Sequence, residues 1–372
     1  MNAIVRVLCT RYLDINKKPT IGGVQSYVES LCEYLVEDGY HTIVYQFSSQ
    51  EFFNITRNSY TVKGIKKAKS TKDLLNYIYS SENPDYNKDI LVFSTDFMIV
   101  PNKFKKSIAI QHGVAWDITT DNKVSDFGNF LSIFKGALRA CKKYQKYKSC
   151  KNIVCVDYNF VNWYRTQVNH ISNNLFVVPN YTKIYNNTRH KTCTVPSIVF
   201  ARRLVDYRGT KLFANAIAEV LKMYPGTSIT VAGTGPDEKW MKKYLHEYSE
   251  VNFTQYSADE SVKFHENFDI AIVPTKGAEG TSLSLLEAMS AGCAVIATNI
   301  GGMTNIIIND YNGKLIFPKH KELVDAIVEL IDNAEKRAIL AKRGNEMARE
   351  AFSIDRWKKA WREVIQFVQS SN

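Results

Sequence analysis

"IAIVPTKGAEGTSLSLLEAMSAGCAVIATNIGG", residues 270–302, falls into four parts by composition alone. IAIVPT is a short apolar run and KGAEGTS is small and polar. LSLLEAMSAG carries apolar residues at helical spacing and stops at Gly292, and CAVIATN is a second apolar run. A short, continuously apolar run is a strand covered on both faces, and a helix joining two of them is a parallel crossover. The stretch therefore predicts α/β architecture. It also sets two glutamates eight positions apart, Glu279 in the loop and Glu287 more than a turn inside the helix.

The same alternation extends outward. SIVFARRL, SITVAGTG and VNFTQY precede it as strands, with helices at GTKLFANAIAEVLKMY and DEKWMKKYLHEY. In the first half AIVRVLC, HTIVYQF, DILVFS, KSIAIQHG and KNIVCVD read as strands. After Gly22 and Gly23, Val24, Tyr27, Val28, Leu31 and Leu35 recur at helical spacing, and Gly39 reads as the C-cap. NLFVVPNYT ends in a turn, and the polar, aperiodic RHKTCTVP reads as a linker. Two βαβ runs in tandem, with a junction near residues 183–195, are the expectation. Two such domains facing each other would make a cleft, with ligands at the carboxyl ends of the strands.

At 372 residues the chain exceeds the size at which single cores stop growing. No run approaches the ~20 apolar residues that span a bilayer. MNAIVRVLCTRYLD has arginines inside a strand-like segment and does not read as a signal peptide. Seven scattered cysteines without a CxxC pair argue for a reducing compartment, against a disulfide framework and against a zinc site. A cytoplasmic protein is expected. The net charge is +11, with 24 basic against 15 acidic residues over 1–185 and 24 against 22 over 186–372. Basic surfaces attract phosphates, whether on nucleic acid, lipid or small molecules.

Candidate chemistry concentrates in the second half. Arg202, Arg203 and the turn Asp206–Gly209 precede a helix, a setting in which guanidiniums and backbone N–H groups grip an anion. Solvated surface arginines fit those residues equally well. Gly233 and Gly235 relieve a turn where backbone comes close to ligand or to protein. The helix after Glu279 starts at Thr281–Leu283, a second anion site. A carboxylate accepts hydroxyls, so glutamates flanking a phosphate-binding helix start match sugar hydroxyls on both sides of a diphosphate, which is a nucleotide sugar. The plainer alternative makes Glu279 a helix-dipole partner and Glu287 a surface charge.

EGTSLSLLEAMSAGCAVIATNIGG resembles the E-x7-E region of family 4 of the retaining, nucleotide-sugar-dependent glycosyltransferases. ARRLVDYRG is similar to that family's G-R-L-x-x-x-K-G segment, VAGTGP to its G-x-G-P turn and VVPNYTK to its V-I-P-N-G segment. IGGVQSYVESL resembles its N-terminal glycine loop and helix, and FSIDRWKKAW the C-terminal helix that crosses back onto the first domain. The resemblance implies the GT-B fold: a Rossmann-like acceptor domain over 1–183, a Rossmann-like nucleotide-sugar domain over 184–352 and a returning helix over 353–372.

It also implies roles. Arg203 and Arg208 would neutralise the donor diphosphate, with arginine at the second position where the family usually has lysine. Glu279 would accept hydroxyls of the donor sugar and Glu287 would bind the ribose. Gly233 and Gly235 belong to the donor set. So do Gly280, Thr281, Ser282 and Leu283, whose amides near Ser282 and Leu283 would hold phosphate or sugar oxygens. Thr281-Ser282 stands where the family more often has Phe-Gly. His112, after KSIAIQ, matches a cleft histidine near the reacting sugar, without a nucleophile's part. Gly22 and Gly23 match the loop that lets backbone approach the donor phosphate and acceptor. The family's reaction is front-face transfer with retention, in which the leaving phosphate oxygen takes the acceptor's proton. Charge placed where charge develops is the main task. No Asp-x-Asp motif lies at a strand end, and neither metal nor other cofactor is expected beyond the UDP-, GDP- or dTDP-sugar itself.

Residues 135–151 hold seven basic residues and no acidic one. Lys135, Arg139, Lys142, Lys143 and Lys146 share a helical face, either to meet an anionic membrane or as the solvated side of a helix packed on its sheet. A peripheral enzyme acting on a glycan or lipid-pyrophosphate-linked acceptor in surface-polysaccharide synthesis is the expectation. Two alternatives stand beside it. A sugar-nucleotide epimerase of the same architecture needs acid/base residues in the cleft. A nucleic-acid-binding protein lacks a base-reading motif and leaves the paired glutamates unexplained, so no nucleic-acid partner is expected.

Overall fold

The computed structural model describes residues 3–20, 22–114, 134, 138, 141–142, 144–167, 172–185, 195–277 and 279–371. The chain forms two compact units. The described residues of 3–112, 134–178 and 358–371 make the first, and Gly113, Val114 and the described residues of Pro179–Trp357 make the second.

Among the described residues the first unit is built on eight strands: β1 Ile4–Cys9, β2 His41–Ser48, β3 Phe53–Arg57, β4 Tyr60–Lys66, β5 Ile90–Phe93, β6 Lys106–Gln111, β7 Asn152–Cys155 and β8 Asn174–Val177. Their order is β3-β4-β2-β1-β5-β6-β7-β8, parallel except for the β3–β4 pair. That pair is a hairpin turned by Asn58 and Ser59, both at positive φ (44° and 68°), the twist-matched two-residue turn. The sequence reading gave neither β3 nor β4. Strand β5 is buried throughout, as its uninterrupted apolar run requires, and β7 is buried as well, with the Asn152 amide donating to the Ser107 carbonyl at 2.9 Å.

Helix Gly23–Glu37 buries Tyr27, Val28, Leu31 and Leu35, the residues at helical spacing, together with Cys32 and Tyr34. Val24 is less covered. The far end of the chain packs here as well. In helix Ile354–Ser370, Trp361 is fully buried and donates its indole N–H to the Tyr27 hydroxyl at 2.9 Å. Lys358 pairs with Glu37, Arg362 with Asp38 at 2.9 Å, and Phe367 meets the ring of Phe176.

The second unit holds six strands: β9 Ile198–Ala201, β10 Ile229–Ala232, β11 Val251–Thr254, β12 Ile270–Val273, β13 Ala294–Thr298 and β14 Lys314–Ile316. All are parallel, in the order β11-β10-β9-β12-β13-β14. One core, around Phe200, Phe213, Ile217 and Val231, covers one face of the sheet, and another, around Val199, Leu285, Met289 and Val295, covers the other. The two units divide after Val178, five residues before the junction set from sequence. The Thr182 N–H bonds the Phe352 carbonyl at 2.9 Å and the Asn180 amide bonds the Thr281 carbonyl at 2.6 Å, which ties 179–183 to the second unit.

Candidate functional site

In the second sheet the chain leaves β9 toward β10 and returns on the other side at β12, so β9 and β12 are neighbours whose connections diverge. Ligands of open parallel sheets bind beyond the carboxyl ends of strands at such a switch point. Arg202 follows β9, and Thr275 and Glu279 follow β12.

Glu279 is 8% exposed. Its Oε2 accepts from Arg202 Nη2 at 2.8 Å, from the Thr275 hydroxyl at 3.0 Å and from Arg208 Nη1. Oε1 accepts none of these bonds. Burial pushes the Glu279 carboxyl up, but the Arg202 and Arg208 charges outweigh it and hold the group below its ordinary value. The loop is pinned from behind by the Gly302 N–H, which donates to the Glu279 carbonyl at 2.9 Å. Two arginines on one carboxylate leave a surplus positive charge. Arg202 is enclosed, with 5% of its side chain exposed, whereas Arg208 keeps 25% exposed and lies against the Tyr207 ring.

Gly209 makes this arrangement possible. It sits at φ 84°, and a Cβ there would lie 1.9 Å from the Pro274 carbonyl oxygen. Only glycine lets the start of helix Thr210–Met223 come so close to the end of β12. Past Glu279, helix Leu283–Ser290 begins with Ser282 as N-cap and no side-chain cap bond. Its first N–H groups lack helical partners, as at any helix start. Thr281 and Ser282 are buried, and Gly280 and Leu283 are half-buried.

One residue named from sequence lies away from its expected cluster. Arg203, taken as the first diphosphate ligand, is exposed and outside this cluster, and its neighbour Arg202 reaches Glu279 instead. Adjacent residues leaving a strand point to opposite sides, so the choice between them depends on packing. Gly233 and Gly235 approach protein: a Cβ on them would lie 2.1 Å from the Arg202 carbonyl oxygen and 2.2 Å from that of Leu204. Glu287, expected from the resemblance to bind the ribose, is half-buried, which goes against the alternative of a surface charge. It accepts from the Ser261 hydroxyl at 2.6 Å, and burial raises its pKa above the ordinary value against the influence of Ser261 and Lys183. The sequence reading names Arg202 beside Arg203 without giving it a role of its own, and Asn180 receives none. The double arginine and the quoted VVPNYTK segment were the available signals.

His112, Gly22 and Gly23 belong to the first unit. The His112 Nε2 lies 2.8 Å from the Ser94 carbonyl oxygen. A carbonyl only accepts, so Nε2 carries the proton and Nδ1 is the acceptor. Burial lowers the pKa of the ring, and Tyr27 meets it edge-on at 5.2 Å. Gly22 caps helix Gly23–Glu37 in an extended conformation (φ 170°), and the space a Cβ would fill at Gly23 is open.

Of the basic stretch, Lys135, Arg139 and Lys143 lie outside the described residues. Lys142 is exposed, while Lys146 is half-buried and donates to the Phe97 carbonyl, so it does not join a free basic face. Phe134 and Leu138 are 57% and 48% exposed, whereas Tyr147 further along is buried against Phe160 and Tyr164. Among the described residues no helix is long and apolar enough to cross a membrane, and no group of His, Cys, Asp and Glu is gathered to hold a metal ion.

Residues 188–347 match the family model of glycosyl transferases group 1. That stretch of the chain is similar to a group 1 glycosyltransferase domain. The chain is 23% identical over 360 residues to an uncharacterised glycosyltransferase of Methanocaldococcus jannaschii, covering 94% of this chain and 95% of that one. It is 25% identical to a Mycobacterium tuberculosis GDP-mannose-dependent alpha-(1-6)-phosphatidylinositol monomannoside mannosyltransferase, over half of each chain. Among solved structures it is similar to sucrose-phosphate synthase from Thermosynechococcus elongatus, with TM-score 0.78, 15% identity and full coverage of both chains. It is also similar to Anabaena HepE in complex with UDP, with TM-score 0.69, 15% identity and coverage of 98% and 100%. The architecture is GT-B, the fold of these solved structures.

Proposed function

We propose that this glycosyltransferase moves a sugar from a nucleotide-diphosphate donor to a glycan or lipid-linked acceptor, with retention, as a family 4 enzyme of surface-polysaccharide synthesis. The observation that carries the reading is the Glu279 cluster at the switch point, beside the start of helix Leu283–Ser290. Arg208, with its partly open side chain, and the N–H groups of that helix take the diphosphate, and Glu287 takes the ribose. Glu279 keeps Oε1 for a hydroxyl of the donor sugar while Arg202 holds its other oxygen. In this reaction the bond from the anomeric carbon to the diphosphate breaks, and the acceptor oxygen bonds to that carbon on the same face. The departing phosphate oxygen takes the acceptor's proton. The positive charge surplus stabilises the diphosphate as it leaves, a preorganised electrostatic contribution that calls on no metal.

HepE has been captured with UDP-glucose, which supports a uridine nucleotide as the first donor class to try. A peripheral position at an anionic membrane draws support from Phe134 and Leu138, both exposed within the stretch that carries Lys142.

The test is a thermal-shift screen of UDP-, GDP- and dTDP-sugars with Glu287→Ala alongside. A ligand at 100 times its dissociation constant stabilises by about 2.7 kcal/mol. A shift with one nucleotide, lost in the variant, is expected. A folded protein that answers to none of them overturns the proposal. Retention is then read from the anomeric configuration of the product by NMR.

A further inference from the structure

The first unit holds a cavity of about 670 Å3 that the donor chemistry does not use. It lies where three neighbouring parallel strands end: Thr10 and Arg11 follow β1, Ser48–Glu51 end and follow β2, and Lys67–Lys69 follow β4. The carboxyl edge of a parallel sheet is the usual place for a ligand, and this volume suits a mono- or disaccharide.

The floor is fixed. Gln46 is 2% exposed, its amide donates to the Leu13 carbonyl at 3.0 Å, and its oxygen accepts from the N–H groups of Tyr12 and Leu13 at 3.1 and 2.6 Å. The two carboxylates of the lining are already engaged. Asp14 accepts from the N–H groups of Asn16 and Lys18, both at 2.8 Å, and Glu51 pairs with Lys17 at 3.0 Å. Arg11 and Lys67 face the same space with no carboxylate partner for their side chains among the described contacts, and Lys69 beside them also feels the charge of Asp73, which is not part of the lining. Thr10, Ser49 and Gln50 add hydroxyl and amide groups. Uncompensated cations over a rigid floor bind an anion, and neutral polar groups around them bind hydroxyls.

We propose that this cavity binds a saccharide carrying a phosphate or carboxylate group and, on the transferase reading above, that it seats the charged residue of the acceptor. The site is separate in sequence and chemistry from the diphosphate site around Glu279, so the two can be disabled independently.

The test is isothermal titration of the full chain with glucose 1-phosphate, glucuronate, inorganic phosphate and neutral glucose. Wild type, the double variant Lys67→Gln/Lys69→Gln and Arg208→Gln are compared, with melting temperature as the folding control. At least one anionic sugar is expected to bind wild type and Arg208→Gln alike, and the lysine variant about tenfold or more weakly. Which of the two sugars binds distinguishes phosphate from carboxylate. Unchanged binding by the lysine variant overturns the proposal, as does loss confined to Arg208→Gln, equal affinity for glucose, inorganic phosphate binding as well as the sugars, or no binding at all. The UDP-sugar shift is measured in parallel. A protein that answers to the nucleotide but fails here refutes the cavity proposal and leaves the transferase reading standing.

Discussion

Replacing Arg202 with methionine removes the enclosed member of the Glu279 cluster and keeps most of its length. Breaking a buried ion pair from one side costs about 3–5 kcal/mol, because the other charge stays desolvated. Two features of the site reduce this. Arg208 remains as a partner, though a quarter of its side chain faces solvent. The Arg202 Nε is a buried donor with no partner among the described residues, and deleting it returns about 1 kcal/mol. The net loss is therefore about 2–4 kcal/mol, or roughly 4–16 °C in the melting of a domain of this size. The pH dependence follows from the signs. In the wild type the Glu279 pKa is depressed, so its contribution is present above the unfolded pKa and fades as pH falls through the folded one. In the variant, burial is opposed by Arg208 alone and the carboxyl titrates higher, so protonation relieves it. The gap between the proteins is widest near about pH 7 and narrows toward about pH 4. Calorimetric unfolding at both pH values, with Glu279→Gln and the double variant completing the cycle, measures it. A gap under about 1 kcal/mol at neutral pH, or one that stays constant with pH, refutes the idea that Arg202 holds the Glu279 charge.

Two further substitutions test the packing around the sites. Gly209→Ala places a methyl 1.9 Å from a backbone carbonyl in a left-handed conformation, and should cost about 2–4 kcal/mol by denaturant unfolding and weaken UDP-sugar binding. A neutral result would show that the turn and β12 can separate freely. Trp361→Ala should destabilise the first unit by about 3–5 kcal/mol, seen as earlier urea unfolding of its tyrosine-rich core. Unchanged unfolding would mean that the returning helix adds little to that unit.

Strands buried on both faces were plain in the sequence because they read as unbroken apolar runs, and β5, β9 and β12 appear where the runs lie. The β3–β4 hairpin was not visible. FNITR alternates, but its turn is Asn58-Ser59, without the glycine that usually marks a two-residue connection. Strand β14 is three residues long and carries a lysine, too little pattern to register. At the candidate site Glu279 and Arg208 were legible, and motif spacing favoured Arg203 over Arg202. The enclosed position beside Thr275 is created by the meeting of β9 and β12, a long-range event that no local spacing encodes. Asn180 likewise acts across 101 positions.

The first unit joins a first piece of chain, the residues up to Val178 that belong to it, to a second that starts at Lys358, since helix Ile354–Ser370 completes a core begun by helix Gly23–Glu37. On a ribosome the two are not available together. At about 5–20 residues per second, roughly 10 to 35 seconds of elongation separate the end of the first piece from the arrival of Lys358 and Trp361. During that interval the second unit, encoded in between, emerges while the surface that receives Trp361 stays uncovered. A nascent chain stalled or cut within it would carry a formed second unit and an unfinished first one, which gives chaperones and proteases an apolar mark by which to tell it from finished protein.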